Sequence, residues 1–136
     1  MSPWESSLVR FVDDCAESRI TEPVAALHCF AELRDCAPSE FAGLFDRFPS
    51  RDRLQKLIEE EAFLTAAMEM IGPYCGILIT RSGEGSSSAL VTISREVDEG
   101  NFFCDDPAIA LLGAFSRSLL ALGNNPKSVW NAGEAN

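Results

Sequence analysis

Apolar residues recur along the first half of the chain at the three-and-four spacing of helices, then give way after residue 72 to short runs of strand character. Ser2-Pro3-Trp4-Glu5 has the form of a capping box, with Ser2 as N-cap, Pro3 at the first helical position and Glu5 reaching back. Trp4, Leu8, Phe11, Val12 and Cys15 share one face, so a first helix is expected to about residue 18. Thr21-Glu22-Pro23 opens a second, whose stripe of Val24, Leu27, Ala31 and Arg34 is widened by Phe30 and Leu33. Pro38 and Ser39 open a short third helix carrying Phe41, Leu44 and Phe45, and Pro49-Ser50 both closes it and caps a fourth. The fourth is predicted over 51–71 as the longest, with Leu54, Leu57, Ile58, Leu64, Met68 and Ile71 as its stripe. Glu61 is the one charge on that stripe; with Glu59 and Glu60 beside it, it reads as solvated.

Gly72-Pro73 stops this helix, because proline cannot continue the hydrogen-bond ladder and restricts its predecessor. Residues 74–80 read as a strand, 81–86 as a glycine-rich turn and 89–95 as a second strand. Asp98-Glu99-Gly100-Asn101 reads as another turn before the strand Phe102-Phe103-Cys104. Alternation puts Cys75, Ile77 and Ile79 on one face, matched by Ala89, Val91 and Ile93, and Tyr74, Leu78, Leu90 and Thr92 on the other. Both faces are largely apolar, so helices on both sides or a dimer partner are expected to cover the second. Asp106 and Pro107 then cap and start a helix with Ile109, Leu112, Phe115, Ser116, Leu119 and Leu122 on its buried stripe and Gly123 at its end. The fold class is therefore α+β: four N-terminal helices, a three-stranded antiparallel meander, and a C-terminal helix packed on the sheet. Residues 1–123 are expected to form one domain, and 124–136, with Trp130 as the only large side chain, a flexible tail.

Composition narrows what such a domain does. With 136 residues, 46% of them hydrophobic and nine Phe, the chain can bury a core of its own. Five cysteines are an odd count and the N-terminus lacks the regions of a secretory signal, so reduced thiols and a cytoplasmic location are expected. No apolar run approaches the ~20 residues of a membrane span. The net charge of −10, from 21 acidic against 11 basic residues, opposes binding to nucleic acid or an anionic membrane. The densest basic group, Arg47, Arg51, Arg53 and Lys56, is interleaved with Asp46, Asp52 and Glu59 and reads as a mixed-charge surface. The same field favours a basic protein partner.

Strands leading into Asp105-Asp106-Pro107-Ala108-Ile109-Ala110-Leu111-Leu112 resemble the small phage ABA-sandwich proteins, over roughly residues 60–122. Here Asp106 stands where that family usually has Thr, and the helical N-terminal half has no counterpart in it. The resemblance implies a phage or mobile-element context and carries no assigned activity.

Candidate chemistry is sparse. His28 is the only histidine, which excludes multi-histidine metal sites within one chain. Cys15, His28, Cys29 and Cys36 have metal-ligand types without zinc-knuckle spacing, and read better as small hydrophobes and a surface histidine. A Cys-His pair formed with Cys75 or Cys104, and a carboxylate site from Asp13, Asp14, Asp105 and Asp106, are the enzymatic alternatives. The loop 83–88 is glycine- and serine-rich but joins two strands and carries Glu84, unlike a phosphate loop.

No cofactor is called for. The expectation is a small acidic non-enzymatic interaction module, of inhibitor, immunity, anti-defence or adaptor type, binding a basic protein through Tyr74, Leu78, Leu90, Glu84, Asp98 and Glu99. Its sharpest version is an acidic mimic of nucleic acid. A homodimer is also expected, because three strands leave open edges. The alternative is a small enzyme with an unfamiliar Cys/His or carboxylate site.

Overall fold

A computed structural model gives the arrangement of residues 1–93 and 99–123. Five α-helices and three strands follow in the order α1 (Pro3–Ala16), α2 (Pro23–Asp35), α3 (Arg51–Glu59), α4 (Phe63–Ile71), β1 (Gly76–Arg81), β2 (Ser87–Thr92), β3 (Glu99–Cys104) and α5 (Pro107–Gly123). This is the expected α+β arrangement, with four helices before an antiparallel sheet of order β1-β2-β3 and a last helix packed on it. The expected tail over 124–136 and the site candidate Asp98 lie outside the described residues.

Helix starts follow the sequence closely. The Ser2 hydroxyl accepts from the Glu5 amide at 3.1 Å while the Glu5 carboxylate accepts from the Ser2 amide at 3.2 Å, which completes the capping box. Ser50 accepts from the Arg53 amide at 3.1 Å, and Asp106 from the Ile109 amide at 3.0 Å.

The third and fourth helices are partitioned differently from the expectation. Ser39–Phe41 is a single 3-10 turn, and the residues after it wind through successive i→i+3 bonds, including Leu44 to Phe41 and Phe48 to Phe45. Lying between two prolines and containing Gly43, the segment is too short to nucleate a regular helix, yet Phe41, Leu44 and Phe45 are still buried. The long helix breaks at Glu61, which takes a left-handed φ of 58° and stays exposed. The break has a packing cause. Leu54 and Leu57 are buried in α3, whereas α4 buries Ala66, Ala67, Met70 and Ile71. On one straight helix these two sets would face nearly opposite sides, so the chain must re-aim between them. Met68, expected inside, is exposed as a result.

Strand pairing matches the expected faces. Ile77 lies opposite Val91, Ile79 opposite Ala89 and Leu78 opposite Leu90. Glu99, Gly100 and Asn101, expected in a turn, are instead the first half of β3 and pair with Thr92, Val91 and Leu90.

The last helix is buried far more completely than a one-sided stripe allows. Residues 108–116 along with Ser118, Leu119 and Leu122 are all inside. The reason is position: α5 touches β2 and β3 on one side and α1, α2 and α4 on the other. A chain of ring contacts crosses this middle layer, from Phe11 to Phe30 at 5.9 Å, Phe30 to Phe115 at 5.6 Å and Phe115 to Phe45 at 6.1 Å. Trp4 stacks at 5.1 Å on Phe41 and donates its indole N–H to the Leu33 carbonyl at 2.8 Å, tying the start of α1 to the end of α2.

The helix meets the sheet at two glycines. A Cβ on Gly100 would come within 2.3 Å of the Ala114 carbonyl oxygen, and one on Gly113 within 2.6 Å of the Phe102 ring. Gly100→Ala is expected to destabilise the fold by about 1–3 kcal/mol, since the obstructing atoms are helix backbone. Gly83→Ala, in open space on the hairpin loop, is the control and should leave the denaturation midpoint unchanged. Equal midpoints for both variants in urea would contradict this packing.

Candidate interaction surface

All the described helices lie on one side of the sheet or beyond it, so no described element covers its other face. Three cross-strand rows make up that face: Gly76, Thr92 and Glu99; Leu78, Leu90 and Asn101; Thr80, Ser88 and Phe103. Leu78 is 57% exposed, Phe103 76% exposed and Leu90 half-buried. The Thr80 and Ser88 hydroxyls hydrogen-bond to each other across the strands. Helices on both sides of the sheet, one of the two expected covers, are not found among the described residues.

The strand is held in this orientation by its neighbours on the opposite face. Phe102 is buried, wedged on Gly113 with the Arg117 guanidinium 4.8 Å above its ring, so the next residue, Phe103, must point outward. Arg117 also donates to the Asn101 carbonyl at 2.8 Å, and Ser118, fully buried, donates to the Val91 carbonyl at 2.7 Å. Helix α5 thus fixes both β2 and β3 while leaving their outer side free.

Of the residues expected in a site, Leu78, Leu90 and Glu99 are brought onto this one face. Glu84 is exposed in the loop between β1 and β2. Tyr74 is not on the face. It precedes β1, packs half-buried against the core and donates its hydroxyl to Asp46 at 3.0 Å. Phe103 was missed, although the alternation of β3 carries the signal: only one of two adjacent phenylalanines can point inward.

Several charged groups elsewhere pair with one another. Arg53 grips Glu69 with two bonds of 3.1 and 2.8 Å, and this contact holds the Glu69 carboxyl below its ordinary range. Arg51 reaches Asp35 at 3.1 Å, and Arg34 lies 5.0 Å over the Phe48 ring. The basic cluster is therefore the mixed-charge surface expected of it.

His28 is exposed and lines a groove of about 450 Å³ with Glu32, Asp35, Arg51 and Gln55. Cys29 turns into a different groove, of about 550 Å³, with Trp4, Leu33 and Cys36, so these neighbours form no Cys-His pair. Asp14 accepts from Arg19 at 2.7 Å and Asp106 caps α5, which accounts for two of the four candidate carboxylates. Among the described residues no group of three or more His, Cys, Asp or Glu is placed to hold a metal ion, and no helix is long and apolar enough to cross a membrane.

Compared with protein-family models, curated proteins and solved structures, the chain matches none of them.

Burial governs the thiols. It pushes Cys15 up to about 12, with smaller contributions from Cys104, Cys29 and Asp14, and alone pushes Cys75 to about 12. Near pH 8 a disulfide reagent should label exposed Cys36 first, half-buried Cys29, Cys75 and Cys104 more slowly, and Cys15 only on unfolding. Because the unfolded thiols ionise near 9.0, the stability they contribute is intact below that pH and is lost as the pH rises toward 12. Rapid labelling of all five thiols in the folded protein would contradict the burial.

Proposed function

We propose that this chain is a small non-enzymatic protein-interaction module that presents the outer face of its sheet to a basic protein. The observation that carries the reading is the exposure of Leu78 and Phe103 on the same face as half-buried Leu90, with no helix over that face among the described residues. Exposed apolar residues within a polar border have the anatomy of a binding patch. The border here is acidic: Glu84 in the hairpin loop, Glu99 at the start of β3 and Asp105 just beyond its end are all exposed. In a chain of net charge −10, this combination selects a partner with a basic rim and an apolar centre. Inhibitor, immunity, anti-defence and adaptor roles share that requirement. The resemblance to phage ABA-sandwich proteins supports a phage or mobile-element setting.

Affinity capture from the native host, at about 0.1 M and about 1 M salt, tests both halves of the reading. The Debye length falls over that range from about 10 Å to about 3 Å, so capture of a basic partner should weaken strongly. Phe103→Asp should lose the partner at low salt while keeping the melting temperature, because its side chain contributes little to the core. Capture that ignores salt would remove the electrostatic half, and full capture by Phe103→Asp would remove the sheet face.

A further inference from the structure

The two outer strands of the sheet are protected very differently. β3 is pressed onto α5 at Gly100, its Asn101 carbonyl accepts from Arg117, and charge stands at its ends in Glu99 and Asp105. Among the described residues β1 has no such contact with α5, and its one charge, Arg81, stands at its end. It pairs with β2 on one side only, and α5 packs mainly beneath β2 and β3. From Gly76 to Thr80 it contains no charge and no proline, and its register with β2 runs without a bulge from Gly76 opposite Thr92 to Arg81 opposite Ser87. Ile77 and Ile79 are only half-buried and Leu78 is exposed. Natural sheets guard an edge of this kind with lysine, proline, a bulge or a covering element; an unguarded one is a template for another strand.

We propose that the β1 edge pairs with β1 of a second copy of this chain. Charge points to the occupant. Copies carrying −10 repel one another over most of their surface, so they can approach closely only along a stretch with no net negative charge, and β1 is such a stretch. Its sequence is also self-complementary. Gly76-Ile77-Leu78-Ile79-Thr80 has a small or hydroxyl residue at each end and an aliphatic triplet between them. Antiparallel pairing about a two-fold axis at Leu78 sets Leu78 against Leu78, Ile77 against Ile79 and Gly76 against Thr80. Every apolar side chain then meets an apolar one on the same face, as an isologous contact requires. The two sheets become one of six strands, in which Ile77 and Ile79 gain cover and the outer faces of both copies run together at Leu78. On the function proposed above, the partner would meet a surface of twice the area.

The mass of the full chain in the absence of any partner decides the matter, by sedimentation velocity or light scattering. The expected value is twice the 14.8 kDa of one chain. Leu78→Lys places two like charges at the axis and should give a folded monomer, whose melting temperature no longer depends on protein concentration as that of the dimer does. A second pair of variants reads the register even if that one fails to fold. In a Cys36→Ser background, Leu78→Cys should form a disulfide-linked dimer under mild oxidation, since directly opposed Cβ atoms lie about 4.5–5.5 Å apart. Thr80→Cys should not, because the two copies of residue 80 are separated by about four residues of strand, roughly 13 Å. A monomeric wild type overturns the proposal, whether or not β1 accepts a strand from another protein. A dimer that Leu78→Cys fails to link also overturns it, by placing the contact on another surface. Salt-sensitive capture that depends on Phe103 would survive either result, so this inference and the proposed function can fail separately.

Discussion

The closeness of α5 to the sheet is the constraint on which the rest of the structure depends. At Gly100 and Gly113 there is no room for one carbon atom between helix backbone and strand, and the Ser118 hydroxyl bonds directly to the Val91 carbonyl. Such contact buries the helix on its strand side. The other side, carrying Leu111, Leu112 and Phe115 among others, must then be covered by something else, because a helix apolar all round is stable only when enclosed. Helices α1, α2 and α4 supply that cover. With α5 in the middle, the helical mass lies on one side of the sheet, and the outer face is exposed as a consequence of the packing.

Charge is distributed in keeping with this layering. The inner layers hold almost no ionisable groups beyond thiols, and burial keeps Cys15 and Cys75 protonated. The arginines of α2 and α3 are occupied by carboxylates or by Phe48, so they leave little free positive field. Exposed carboxylates outnumber them, and isolated surface pairs of this kind contribute little to stability. The acidic excess is therefore better understood as a property of the surface presented to other molecules than as a device that holds the fold.

Most of the architecture was legible because local and global signals agreed. Ser2 with Glu5, Ser50 and Asp106 are capping residues whose meaning depends on a few neighbours, and each caps as read. Strand alternation likewise placed Leu78 and Leu90 on one face, where they lie opposite each other. The failures arose where tertiary packing decides. Nothing local distinguishes a straight helix over 51–71 from two helices re-aimed at Glu61; the choice follows from which faces find cover. Tyr74 has the parity of Leu78, but β1 begins only at Gly76, and the ring turns back to Asp46. Of the candidate site, Leu78 and Leu90 were readable from period two; Glu99, read in a turn, reaches the face because β3 begins there, and Phe103 required knowing that Phe102 would be claimed by the core.

The adjacent phenylalanines show how the core and the exposed face constrain each other. Phe102 fills the space that Gly113 leaves open, and Arg117 closes over it. A strand offers its neighbour only the opposite side, so inserting one ring into the core commits the other to solvent. A polar residue at position 103 would satisfy the fold equally well, since its side chain makes little contact with the interior. Folding therefore explains Phe102 completely and does not explain Phe103. The same holds for Leu78, where threonine would suit an open strand face. Two large apolar residues, placed where stability does not ask for them and on the one face that the central helix leaves uncovered, are the part of this chain that folding alone does not account for.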